Sequence, residues 1–332
     1  MKKGLMLINL GTPDNPEISA VRRYLAEFLT DKRVIDLPSL IRYPIVYGTI
    51  LPFRPKYTSQ AYQAIWIKDG SPLLVNSLNL QIKLQARLGE EWQVGLGMRY
   101  GKPSIASTLK QFSRCRHLTI LPLFPQYSSA ATGSALEEVL SLIAKQNAPP
   151  SLRVIRDFYQ APEFIAAQAA LIQPHIAEHD FLLLSYHGLP ENHLKKAGCP
   201  SICAGTCPAI SEKTQACYRA QCYTTTQALA KKLGLSDEQY GTSFQSRLGK
   251  TPWIKPYTDE FLPELSRKGI KRLAIACPSF IADCLETLEE IGLRAKEQWL
   301  QLGGERLTLI SCVNDSDLWV EGLVKLVNLP EN

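Results

Sequence analysis

The chain has 332 residues, more than a single hydrophobic core usually organises, so two domains are the expectation. Forty-five per cent of the residues are hydrophobic and 20% charged, which is ordinary for a soluble globular protein. Thirty-seven basic against 31 acidic side chains leave +6, too mild and dispersed for nucleic-acid binding but suited to an anionic small molecule or membrane surface.

Lys2 and Lys3 precede only a short apolar run, 5–10, and Asp14 arrives before any cleavage-like site, so no export signal is expected. That run reads as a strand, and 18–29 as an amphipathic helix. The longest apolar stretch elsewhere, 40–53, is broken by Arg42 and Pro44 and is too short to span a bilayer. A cytoplasmic, reducing setting follows, in which nine cysteines read as thiols or metal ligands rather than disulfides. Strands are expected at 93–99 and 118–124, then a helix over 134–143. The polar, proline-rich Asn147-Ala-Pro-Pro-Ser151 is the clearest internal boundary. Beyond it, strands are expected at 153–158, 181–186, 272–277 and 308–313, and a helix over 282–300. Apolar strands alternating with helices predict an α/β protein whose parallel sheets are covered on both faces.

The halves on either side of the boundary look alike. Leu5-Met-Leu-Ile-Asn-Leu-Gly-Thr-Pro13 aligns without a gap on Leu182-Leu-Leu-Ser-Tyr-His-Gly-Leu-Pro190. Segments 118–140 and 273–291 share a strand, a proline, a short loop and an acidic helix start. If the chain is a duplication, Leu10 and His187 are equivalent, each at the carboxyl end of a strand, where open α/β sheets bind ligands. Two such domains facing each other would make a cleft for a flat, mostly apolar ligand with one reactive centre. The nucleotide signatures are missing: no G-x-G-x-x-G follows a strand, and Gly249-Lys-Thr251 lacks the upstream glycine of a P-loop. There is no G-x-S-x-G elbow either, so dehydrogenase, ATPase and hydrolase readings lose their support.

Three features can carry chemistry. His187 stands just before Gly188, where a loop can present an imidazole as proton acceptor or iron ligand; the plain alternative is a histidine bonded to its own turn. Asp283, Glu286 and Glu290 fall at i, i+3 and i+7 of the expected helix and would share one face as a metal path or proton relay. Acids also suit a helix's first turn and a solvated face, so the spacing alone leaves both readings open. Cys199, Cys203, Cys207, Cys217 and Cys222 crowd into 24 residues among Gly198, Pro200, Gly205 and Pro208. A loop of this kind wraps metals, and four thiolates suit a [2Fe–2S] cluster or a structural zinc, though the spacing fits no standard zinc finger. Trp253 and the Phe124-Pro-Gln-Tyr127 turn offer flat apolar surfaces, and Arg99 and Lys102 could meet carboxylates.

Several motifs in order resemble the ferrochelatase family over nearly the whole chain: Leu7-Ile-Asn-Leu-Gly-Thr-Pro13, Gly70-Ser-Pro-Leu73, Met98-Arg-Tyr-Gly101, Pro125-Gln-Tyr-Ser128, Ser185-Tyr-His-Gly-Leu-Pro190, Phe244-Gln-Ser-Arg247, Pro252-Trp253 and Asp283-Cys-Leu-Glu-Thr-Leu-Glu-Glu290. The resemblance implies two similar Rossmann-like domains, with protoporphyrin IX between them and Fe²⁺ as second substrate. The first would span 1–149 with an apolar lip near 38–55, joined by a C-terminal helix at 315–330, and the second 150–314. It maps the family's histidine onto His187 and its acidic partner onto Glu286, both able to hold Fe²⁺, with Glu290 and Asp283 continuing the acidic line. Leu10, Arg99, Tyr127 and Trp253 fall at porphyrin-contact positions, and the lip would touch the inner face of the cell membrane.

An insertion at 195–217 departs from the simpler bacterial members and is similar to one in members that carry a [2Fe–2S] cluster. Its Cys199, Cys203, Cys207 and Cys217 are the expected ligands. Rival readings are a coproporphyrin III ferrochelatase, a chelatase for another tetrapyrrole, and a non-catalytic haem or Fe–S binding protein.

Overall fold

The computed structural model describes residues 2–199, 201–203, 205–249 and 251–329; Pro200 of the cysteine loop, Lys250 and the last position of the expected C-terminal helix lie outside these. The chain divides into two units, Met1–Leu123 with Ser129–Arg156, and Phe124–Ser128 with Asp157–Asn332.

The first unit is built on β1 (Lys3–Thr12), whose Leu5, Met6, Leu7 and Ile8 are wholly buried. A strand apolar on both faces needs neighbours and covering helices on both sides, which makes it central. It pairs in parallel with β2 (Trp92–Gly101) and β3 (His117–Pro122), and β3 pairs with β4 (Ser151–Val154), giving the order β2-β1-β3-β4. Gly11 ends the run at φ 113°, and a Cβ there would lie 1.7 Å from the Tyr100 carbonyl oxygen, so only glycine lets the two strands approach.

The second unit repeats the plan. β5 (Phe181–His187) pairs in parallel with β6 (Tyr240–Gln245) and β7 (Arg272–Ala276), and β7 with β8 (Arg306–Leu309), in the order β6-β5-β7-β8. The two orders are the same, so β1 and β5 hold equivalent central places, as the gapless match of their sequences implies. One part of the core joins Leu183, Leu273, Ile275, Ile291 and Trp299.

Four sequence expectations are corrected. β6 was not anticipated, because Tyr-Gly-Thr-Ser-Phe-Gln carries no apolar run; its polar side chains are buried in hydrogen bonds instead. β4 and β8 each start two residues earlier than expected. The helix expected over 282–300 is a π-helix, Leu285–Ala295, followed by an α-helix, Lys296–Gln301. The C-terminal helix, Asp317–Asn328, belongs to the second unit rather than the first, packing on the helix Pro162–Ile176 through a buried Trp319 that meets Phe158 and Phe164. Residues 197–217 form no helix or strand among the described residues. Nor is any described helix long and apolar enough to cross a membrane.

Candidate active site

His187 is the last residue of β5 and is half-buried. Its amide donates to Ser279 Oγ at 3.0 Å, and its carbonyl accepts from Tyr218 Oη at 2.8 Å, so the main chain is held on both sides. Its Nδ1 lies 2.6 Å from the Gly188 carbonyl oxygen. A carbonyl only accepts, so the neutral ring carries its proton on Nδ1 and its lone pair on Nε2. The turn contact foreseen as the plain alternative is thus present, and it uses Nδ1 alone, leaving Nε2 outside that bond. The ring lies between Trp253 and Phe280, with centroids 6.5 and 6.2 Å away. Trp253 is fixed by Nε1 donating to the Leu248 carbonyl at 2.9 Å.

The acidic segment opens differently from the expected helix. Cys284 is extended, with φ −148°, so Asp283 precedes the helix and does not share its face. Asp283 is buried, and its carboxylate accepts from Asn314 Nδ2 at 2.7 Å, the Cys312 amide at 3.2 Å and Thr287 Oγ1 at 3.2 Å. Of the expected row of three, only Glu286 and Glu290 ride on the π-helix itself. They are four positions apart, less than one turn of an i→i+5 helix, which keeps them on adjoining parts of one side. Glu286 occupies the first turn, where the helix's positive end favours an anion.

Glu290 accepts from the Ser246 amide at 2.8 Å and from Ser246 Oγ at 2.5 Å. Burial lifts its carboxyl above the ordinary carboxylate value, while the two Ser246 donors, His187 and Arg294 pull it back in part. Gln245, wholly buried beside it, donates from Nε2 to the Glu286 carbonyl at 2.6 Å and accepts from Ser185 Oγ at 2.7 Å. Gln245 and Ser246 lie within the Phe244-Gln-Ser-Arg247 motif, and what marks them is their place at the end of β6 and just after it, a strand with no apolar signal in the sequence.

The remaining expected contacts are more scattered. Leu10, half-buried at the end of β1, and Arg99 belong to the first unit. Arg99 is committed to a network there: Nη2 donates to Asp31 Oδ2 at 2.7 Å and Nε to Ser134 Oγ at 2.7 Å. Tyr127, in the second unit, donates its amide to Gln221 Oε1 at 2.6 Å.

In the insertion the thiols meet on Cys217. Cys217 caps the helix Tyr218–Leu233 and is pushed down to about 6, chiefly by donation from Cys207 and further by the Ala220 amide, Cys199 and the Arg219 amide. Burial pushes the Cys199 thiol up to about 11. Arg219, itself buried, donates from Nη1 to Cys207 Sγ at 3.0 Å. Among the described residues, no group of three or more His, Cys, Asp or Glu side chains could hold a metal ion as placed.

The family model described as Ferrochelatase matches residues 2–329. This chain belongs to the ferrochelatase family. A ferrochelatase of Legionella pneumophila is 60% identical over 328 residues, covering 99% of each chain. One of Coxiella burnetii is 53% identical over 332 residues, covering 98% of this chain and 93% of the relative. Among solved structures, SirB from Bacillus subtilis with Fe³⁺ matches with a TM-score of 0.56 at 9% identity, covering 98% of this chain and 94% of that one. That likeness shows the chelatase fold alone. As a ferrochelatase, the protein is an enzyme that inserts iron into a porphyrin for haem synthesis.

Proposed function

We propose that this ferrochelatase places ferrous iron in protoporphyrin IX, with His187 as first proton acceptor or, alternatively, as Fe²⁺ ligand, and with Glu286 and Glu290 as the outward path for protons or the inward path for metal. The observation that carries this reading is an imidazole whose lone pair lies on Nε2, on a strand paired at that residue with Gln245, whose successor Ser246 holds the Glu290 carboxylate. Insertion replaces two pyrrole protons by one divalent cation, so a base must be close when the metal arrives. Nε2 takes the first proton, and the second leaves along the carboxylates, where Glu290, which burial makes a better base than an ordinary carboxylate, accepts it. The aromatic pair Trp253 and Phe280 keeps the imidazole oriented. Leu10, Arg99, Tyr127 and Trp253 remain the proposed porphyrin contacts. Asp283 has another office, holding the start of the π-helix.

The lip supports contact with a membrane surface. Leu40, Phe53 and Tyr57 are 89%, 71% and 70% exposed, beside Ile41, Tyr43 and Tyr47 on the helix Ser39–Ile45 and the π-helix Val46–Ile50. An apolar patch of this kind suits the interfacial layer from which a poorly soluble porphyrin is taken up. The insertion is read as the seat of a [2Fe–2S] cluster on Cys199, Cys203, Cys207 and Cys217. The donor chemistry fits such a group, since four thiolates are its ligand set and Arg219 offsets part of their charge. When bound, the cluster would supply a one-electron redox centre, while the four cysteines and Arg219 anchor the loop.

The test is His187→Ala in an anaerobic metallation assay with protoporphyrin IX, and coproporphyrin III as competing acceptor. Turnover should fall by about 10²–10⁴-fold while porphyrin still binds. Near-normal insertion by the variant would refute the role of His187, and preference for coproporphyrin III would refute the substrate. Iron and sulfide content of the same purified protein decides the cluster: stoichiometric sulfide supports it, and zinc without sulfide overturns it.

A further inference from the structure

Among the described residues two non-glycine residues adopt left-handed backbone, Ser246 at φ 66° and Asn314 at φ 46°. This conformation is unfavourable for residues with a Cβ and persists only where the surroundings hold it. Both residues belong to the second unit, and each grips one carboxylate of the segment 283–290. Asn314 donates from Nδ2 to Asp283 Oδ2 at 2.7 Å and accepts the Asp283 amide on Oδ1 at 2.8 Å. Ser246 donates its amide to Glu290 Oε1 at 2.8 Å and its hydroxyl to Oε2 at 2.5 Å.

The second grip is the one near the chemistry. β6 ends at Gln245, which is paired with His187 across the sheet, and Ser246 is the next residue. Had the strand continued, the amide of residue 246 would lie in the plane of the sheet and its side chain across it. The left-handed turn instead brings both donors onto a single carboxylate, one to each oxygen. Gln245 at the same time binds the Glu286 carbonyl, so two consecutive residues tie the strand beside His187 to the helix that carries Glu286 and Glu290.

We propose that Ser246 is a positioning residue for iron insertion, whose two donors hold the Glu290 carboxylate in one orientation relative to the strand that pairs with His187. The proposal rests on the reading of Glu290 as part of the proton or metal path. A carboxylate engaged on both oxygens cannot swing, and its remaining acceptor directions stay fixed relative to β5. The backbone conformation is retained for this purpose, since a glycine would adopt it with less strain but would lack the hydroxyl.

The experiment compares Ser246→Ala, Ser246→Gly, Glu290→Gln and the Ser246→Ala/Glu290→Gln double variant, using zinc or ferrous iron insertion into protoporphyrin IX and porphyrin affinity by fluorescence quenching. Glycine tolerates the left-handed backbone and keeps the amide, so it supplies a folded variant missing only Oγ. Both single serine variants should lose about 10-fold or more in kcat with porphyrin KM and affinity within about twofold, as for loss of one charge-assisted hydrogen bond. Adding Ser246→Ala to Glu290→Gln should cost nothing further, because the group it positions is already gone. An additive loss in the double variant, a loss confined to porphyrin affinity, or an unchanged kcat in Ser246→Gly would overturn the proposal. Glu290→Gln with unimpaired kcat would instead sink the reading of Glu290 on which it rests, a result distinct from the others.

Discussion

At His187 the two ring nitrogens have separate tasks, and the neighbour that separates them is Gly188. Its amide donates to the Gln245 carbonyl at 2.8 Å, and its own carbonyl fixes the His187 tautomer. A Cβ on Gly188 would sit 2.8 Å from that Gln245 oxygen and 3.2 Å from the Trp253 ring. The oxygen is main chain and cannot rotate away, so Gly188→Ala must displace the loop bearing the imidazole. We expect about 1–3 kcal/mol of destabilisation, measured by urea unfolding. A kcat loss of about tenfold or more should accompany it, because small misplacements of a reacting group are costly. Wild-type stability and turnover in this variant would show that the loop has slack the geometry denies.

The π-helix Leu285–Ala295 is the element that carries Glu286 and Glu290, and its start is built rather than inherited from helix propensity. The Cys284 amide donates to Thr287 Oγ1 at 3.0 Å, and Thr287 Oγ1 donates in turn to Asp283. Asp283 also satisfies the Cys312 amide, so its carboxylate joins the helix start to the chain after β8. Asp283→Ala would strand the donors of Cys312 and Asn314 in a buried place, while Thr287 Oγ1 keeps the Cys284 carbonyl as acceptor at 3.2 Å. The expected cost is about 2–4 kcal/mol, since an unmet buried donor costs about 1–3 kcal/mol each and relaxation recovers part. Calorimetry together with turnover separates this from a relay role: a relay would lose kcat at unchanged melting temperature, whereas a holder loses both. The sequence had placed Asp283 in a row with Glu286 and Glu290 by assuming α-helical spacing; the extended Cys284 removes that premise.

Across the molecule, the same four-strand order appears twice, yet only one copy carries the histidine and the acids. Arg99 in the first unit falls between the paired residues Asn9–Met98 and Gly11–Tyr100, opposite Leu10, as Gln245 falls opposite His187. The place that in the second unit steadies the acidic helix is filled in the first by an ion pair. Burial works to raise the Asp31 carboxyl, but donation from Ser134, the Arg33 amide and Tyr100, with the charge of Arg99, outweighs it and leaves a net value below the ordinary 3.8. A carboxyl lowered on folding contributes stability that is present above its unfolded value and is lost as pH falls through its folded one. Unfolding free energy should therefore decline below about pH 4, in part through Asp31. Asp31→Asn should lower stability by about 3 kcal/mol at neutral pH, because Arg99 is left without its counter-charge. The variant should also show a shallower acid limb in urea titrations from pH 7 downward; an unaltered limb would remove Asp31 from the acid response.

Apolar strands at fixed intervals, the repeated strand-and-turn segment and the glycine after His187 determined most of the architecture, because β1, β5 and β7 are buried on both faces and must be written in hydrophobic residues. The same logic hid β6, whose Thr242, Ser243 and Gln245 are buried through hydrogen bonds that no periodicity announces. His187 and Glu286 were legible as residue types in a recognisable order. Which nitrogen of the histidine keeps its lone pair, which acids share a side, and what holds them were decided only in three dimensions. Each depends on a partner distant in the chain: Gln245 and Ser246 for the acidic helix, Asn314 and Cys312 for Asp283, Ser279 and Tyr218 for the main chain of His187. Local sequence sets the strand and the turn; hydrogen bonds between segments that meet only on folding set the orientation of His187, Asp283 and Glu290.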